Sequence, residues 1–131
     1  GGSSTDNTRW SASEKTIHDP CPRGWRVPES SDIWTDASGS AGEFTMTYDT
    51  DLEGMDFSGK FGSDDCIWYP AAGCRISVDG SLSDIPWSGN CWTVTTEDKD
   101  ACGLKITNTD EVYPACGYQR AYALSVRCVK K

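Results

Sequence analysis

Seven cysteines, at positions 21, 66, 74, 91, 102, 116 and 128 of a 131-residue chain, restrict its fold more than any other feature. At this density, cysteines in one domain-sized chain point to an oxidising compartment where disulfides persist. Structural zinc is the competing explanation, and it needs close ligand pairs. No Cys-x-x-Cys occurs and His18 is the single histidine, so the spacing argues against zinc. An odd count leaves at least one thiol unpaired within the monomer or paired between chains.

Charge sets the next limit. Twenty Asp and Glu against twelve Lys and Arg leave a formal net charge of -8, which argues against nucleic acid or an anionic membrane as partner, because both need a basic face. From Glu29 to Asp65 there are ten acidic residues and one basic one, Lys60, so this stretch alone carries the deficit and is expected to form a solvated acidic side. No apolar run approaches the roughly 18 residues of a membrane span, so no membrane insertion is expected. The opening Gly1-Gly2-Ser3-Ser4-Thr5 carries no export signal. An export address and a further domain are therefore expected upstream in the precursor.

Residues 1–9 are small and polar and are expected to be a disordered tail or linker, with one domain over 10–131. Prolines on both sides of Cys21 impose an extended course, and Gly24 to Val27 is expected as a short strand stopped by Pro28. Ser30 or Ser31 can cap a short helix over 32–37. Beyond it the period changes to two: 44–48, 66–69 and 74–78 are expected strands, with Asp79-Gly80 as a turn. Residues 91–95 and 104–107 should pair across the charged tip 97–100, and 122–128 gives the clearest alternation, with Tyr122, Leu124, Val126 and Cys128 on one face. One or two short helices followed by many short strands predict an α+β fold, with a small twisted antiparallel sheet and long loops.

Three motifs occur in order: Asp19-Pro20-Cys21-Pro22-Arg23-Gly24-Trp25-Arg26-Val27-Pro28, then Tyr69-Pro70-Ala71-Ala72-Gly73-Cys74-Arg75, then Ser125-Val126-Arg127-Cys128-Val129. Together they resemble the Fibrobacter succinogenes major paralogous domain family, found at the C-terminus of fimbrillin-like surface proteins of Bacteroidetes. The match spans about residues 15 to 130. It departs from the family pattern at Cys74, where an aromatic is usual, and at Cys91-Trp92-Thr93-Val94-Thr95. The resemblance implies a C-type-lectin-like fold, in which the terminal strands lie together and Cys21 bonds to Cys128. Cys66, Cys74, Cys91, Cys102 and Cys116 are additions to that pattern, and no pairing among them is assigned.

Catalytic readings are weak. A nucleophile pair would have to join His18 to Cys21 beside a proline-locked strand. The implied fold is shared with copper-dependent formylglycine-generating enzymes, but the spare cysteines match none of their motifs. Asp49, Asp51, Glu53 and Asp56 could approach one another as glycosidase carboxylates, yet the stretch lacks the apolar setting that raises a carboxyl pKa. Asp49, Asp51 and Glu53, with Gly54 at the sixth position, copy the opening of a calcium loop, which fails at Asp56 and Lys60. They remain candidate ligands for an irregular calcium site. Neither Glu-Pro-Asn nor Gln-Pro-Asp occurs, so calcium-dependent sugar binding of the C-type-lectin kind is not supported.

Trp25, Trp68 and Trp92 lie in or beside motifs and are expected in the core, whereas Trp87 is a candidate contact for a sugar ring or a protein. The connections 79–90, 96–102 and 107–120 are the expected recognition loops, which nominates Trp87, Asn90, Tyr113, Tyr118 and Arg120 for ligand binding. The expected function is therefore a non-catalytic recognition or adhesion domain of an exported, cell-surface or pilus-associated protein, binding a glycan or a host or bacterial surface protein. Two alternatives are a structural cap or stalk domain of a fimbrial subunit, and a retroelement-diversified receptor-binding domain variable near 91–122.

Overall fold

The computed structural model describes residues 6–31, 45–58 and 67–130. Among them are ten strands: β1 (Trp25–Arg26), β2 (Thr45–Asp49), β3 (Gly54–Ser58), β4 (Trp68–Pro70), β5 (Cys74–Arg75), β6 (Leu82–Ser83), β7 (Ser88–Glu97), β8 (Asp100–Thr107), β9 (Val112–Tyr118) and β10 (Val129–Lys130). They form four small antiparallel sheets, ordered β1-β10, β2-β3-β4, β5-β6 and β7-β8-β9.

The expected α+β, C-type-lectin-like architecture is thereby corrected to an all-strand one. The described residues contain no helix, and none that could cross a membrane. The helix expected over 32–37, Trp34 included, lies outside the described residues. Elsewhere the apolar residues alternate with period two and several strands are joined by tight turns, which leaves no stretch with the 3.6-residue period that a helix needs to bury a face.

Strand β7 organises the molecule. One edge pairs with β8 from Ser88↔Thr107 to Glu97↔Asp100, across a turn at Asp98-Lys99. Its other edge is satisfied piecemeal: Gly73 N–H donates to Ser88 O, Trp92 N–H to Ser125 O, and Val94 N–H to Pro28 O. All three sequence motifs therefore converge on one strand. Gly73 and Gly89 meet in a parallel bridge. A Cβ on Gly89 would lie 2.4 Å from Pro70 O, and one on Gly73, whose φ is +64°, would lie 2.1 Å from Ser83 O, so both positions require glycine.

The two faces of β7 are covered differently. One packs Cys91 with Met55, Phe57, Tyr69, Leu104 and Ile106 into the main core, where Phe57 meets Tyr69 edge-on at 5.3 Å. The other carries Trp92, which meets Tyr118 edge-on at 5.9 Å. There the Tyr118 hydroxyl donates to Asn90 Oδ1 at 2.6 Å and Asn90 Nδ2 donates to Ser88 Oγ at 2.9 Å, so these buried polar atoms satisfy each other.

The chain ends are clasped by a Cys21–Cys128 disulfide, with Cα atoms 5.7 Å apart. Beside it, Trp25 pairs with Lys130 and Arg26 with Val129. Buried Asp19 fixes the approach: its Oδ1 accepts from Cys21 N–H at 2.8 Å and from Lys15 Nζ at 2.9 Å.

Three local expectations differ from the observed fold. Trp25 is 42% exposed rather than core, because β1 lies in a two-stranded sheet at the rim. Residues 122–128 form an extended crossing with bridges at Ala123 and Ser125, not a continuous strand. Half of the segment 107–120 is strand β9 rather than loop.

Candidate functional site

A cavity of about 660 Å³ opens between the N-terminal segment and the β7-β8 hairpin, lined by Asp6, Asn7, Arg9, Trp10, His18, Trp92, Thr93, Val94, Thr96, Ala101 and Arg120. This volume falls within the range of small-molecule sites.

Residues 6–18 form one wall, held by their own polar side chains. Asp6 Oδ1 accepts from the Thr8 amide at 3.0 Å and the Thr8 hydroxyl at 2.6 Å, while Oδ2 accepts from Arg9 Nε at 3.3 Å. These donors hold the Asp6 carboxyl well below its usual range, at about 2, so it is ionised at neutral pH. Trp10 Nε1 donates to His18 O at 2.9 Å, and the Thr16 hydroxyl donates to Arg9 O. The indole is thereby fixed in orientation, half-buried at the cavity wall.

Arg120 joins this wall to the sheet. Its guanidinium donates to Lys99 O at 3.0 Å, Asn7 Oδ1 at 2.6 Å, and Asp6 O and Asp100 O at 3.4 Å. Hence residues 6–9, expected as a tail, are seated on the hairpin. Replacing Arg120 by Ala should cost about 1–3 kcal/mol, since one charged donor group serves several acceptors. Faster amide exchange and proteolysis confined to residues 6–10 should accompany it; unchanged protection there would show that the wall is held by other contacts.

Of the five residues nominated for ligand binding, Arg120 lines the cavity and the other four do not. Asn90 is 3% exposed and engaged by Ser88 and Tyr118, so neither its amide nor the Tyr118 hydroxyl is presented to a ligand. Trp87 and Tyr113 are exposed, at 62% and 44%, away from the cavity lining. Asp6, Asn7, Arg9 and Trp10 were not nominated as ligand contacts, and Arg120, the partner of Asp6 and Asn7, stands more than 100 residues away. The local signal for them is the Asp6-x-Thr8 pattern of a self-capping turn.

The candidate calcium ligands do a different job. Asp49 Oδ1 accepts from the Asp51 and Leu52 amides, each at 2.9 Å, which closes the β2-β3 hairpin. Glu53 sits at φ +53° at its end. Among the described residues no group of three or more His, Cys, Asp or Glu is placed to hold a metal ion.

Among the described residues Cys116 is a half-buried free thiol, and the other sulfurs of cysteine are disulfide-bonded or buried. Cys21 is committed to its disulfide, so the pair with His18 has no thiol to offer. Cys74, Cys91 and Cys102 are buried thiols. Burial pushes Cys91 up to about 11 and raises Cys74 and Cys102 as well, the last two also opposed by nearby carboxylates. Cys102 stands opposite Gly117 and Cys116 opposite Gly103, an offset of one residue that points the two thiols to opposite faces. Cys66 lies outside the described residues.

No protein-family model, curated protein or solved structure matches the chain.

Proposed function

We propose that this chain is a non-catalytic recognition module whose ligand site is the cavity between residues 6–18 and the β7-β8 hairpin. The observation that carries the reading is a cavity lined by two indoles, Trp10, fixed by its bond to His18 O, and Trp92, set among hydrogen-bonding groups on a disulfide-clasped scaffold. Ligand sites combine apolar walls with a few directed polar groups in this way.

The disulfide also supports an exported location, since such bonds persist in oxidising compartments. Together with the resemblance to surface-protein domains, it favours a place on a cell surface or pilus, downstream of another domain, with a glycan or a surface protein as partner. Relative to the loop-based expectation, the site moves from Trp87 and Tyr113 to the cavity.

Screening the purified chain against glycan and protein arrays, with Trp10→Ala and Arg120→Ala alongside, tests this. A binder weakened at least tenfold by both substitutions is expected. A binder lost on Trp87→Ala and untouched by the cavity variants would relocate the site; silence across both arrays would favour a structural cap or stalk.

A further inference from the structure

The cavity has a surplus of positive charge and of free donors, in a chain whose formal net charge is -8. Its ionisable lining groups are two guanidiniums, one carboxylate and His18. Asp6, the one carboxylate, is consumed by Thr8 and by the Nε of Arg9. All four hydrogen bonds of Arg120 end on neutral oxygens, three backbone carbonyls and the Asn7 amide, so its charge is not offset by contact with an acid. The acidic tip residues Glu97, Asp98 and Asp100 do not line the cavity.

Two donor groups at this wall have no partner among the described residues. Arg9 is ion-paired to Asp6 through Nε alone, at 3.3 Å, which leaves both terminal nitrogens of its fork for a second acceptor, on a side chain 66% exposed, while the cation without an acidic partner is Arg120. The His18 ring makes no hydrogen bond, although its backbone carbonyl anchors Trp10. A cation fork, an imidazole and an indole of fixed orientation therefore line one cavity. That set is complementary to an acceptor-rich anion joined to a flat apolar face: the fork matches a carboxylate with two parallel bonds, and the indole offers a broad surface for the C–H face of a sugar ring.

We infer that the cavity takes a carboxylate-bearing saccharide, with the ring against Trp10 and the carboxylate on Arg9 beside His18. This rests on the cavity being the ligand site. A uronic acid and a sialic acid share the required chemistry, and the experiment separates them. Because the contact is charge-assisted and partly open to solvent, affinity falls as salt rises.

The test is ligand-observed NMR and calorimetry on the whole chain with methyl glucuronide, the methyl glycoside of N-acetylneuraminic acid, and neutral methyl glucoside. At least one acidic sugar is expected to bind saturably, ten times or more tighter than the neutral one. Arg9→Gln, checked by amide exchange over residues 6–10 so that a loosened wall is told apart from a lost contact, should abolish that preference, and Trp10→Ala should weaken every saccharide. Equal binding of acidic and neutral sugars, or an unchanged preference in Arg9→Gln, overturns the carboxylate assignment while the cavity reading survives. Absence of binding by all three sugars overturns the saccharide assignment. The cavity reading itself fails separately, if a ligand found on the arrays is indifferent to Trp10→Ala.

Discussion

Replacing Cys21 and Cys128 together by serine is expected to remove about 4–5 kcal/mol of stability, seen as a large fall in the urea midpoint with a steeper slope as the unfolded chain expands. The bond joins residues 107 apart in sequence, and in the chain-entropy account a cross-link closing a loop of about 100 residues restricts the unfolded chain by that amount. Little else clasps the ends. β1 and β10 share two residue pairs, and Lys15 adds one ion pair to Asp19 and a bond to Cys21 O. Since domains of this size are stable by roughly 5–15 kcal/mol, the loss takes a large share of the total. Reduction should act alike, and the thiols of Cys74, Cys91 and Cys102 should then react far faster than in the oxidised protein, where burial shields them. A loss below about 1 kcal/mol would mean that the unfolded chain keeps its ends together without the bond.

Truncating Leu104 to Ala should cost about 3–5 kcal/mol, the second large effect. Leu104 is 1% exposed, faces Cys91 across the β7-β8 pair, and packs with Met55, Phe57, Tyr69 and Ile106. Removing its methyl groups loses the transfer energy and leaves a cavity, because β3, β4 and β7 are held by their own ladders and cannot collapse inward. Leu82→Ala is the control: at 58% exposed it should change stability by less than about 0.5 kcal/mol. Thermal and urea unfolding of both variants would decide it. Equal losses at the two positions would show that the core is not where the packing places it.

The two substitutions probe parts of the fold that were unequally visible beforehand. The hairpin holding Leu104 is legible, because 91–95 and 104–107 alternate around the charged tip 97–100, and the Asp79-Gly80 turn forms with Gly80 at φ +73°. β9 was hidden by Pro114, which marks a break in most sequences. It is tolerated because β9 is an edge strand and Pro114 falls where the pairing shifts register between Gly103↔Cys116 and Lys105↔Tyr113. The alternation at 122–128 is real, but the segment divides its backbone bonds between Arg75 on β5 and Asn90 and Trp92 on β7, so it never forms one continuous ladder. The pairing of Cys21 with Cys128 came from motif resemblance, since spacing alone leaves many pairings open.

The chain's own residues determine what is local: where it is extended, where it turns, and how much charge it bears. Burial and the assembly of the site are decided by the tertiary structure. Trp25 and Trp92 sit in similar motif settings, yet one is 42% exposed and the other 8%, because a rim sheet covers one face and the central strand is covered on both. Residues 6–9 have the composition of a tail and become a cavity wall through Arg120, more than 100 residues distant. A long-range bond of that kind leaves no periodicity in the sequence; it follows from where β7, β8 and the turn at 119–122 bring the chain.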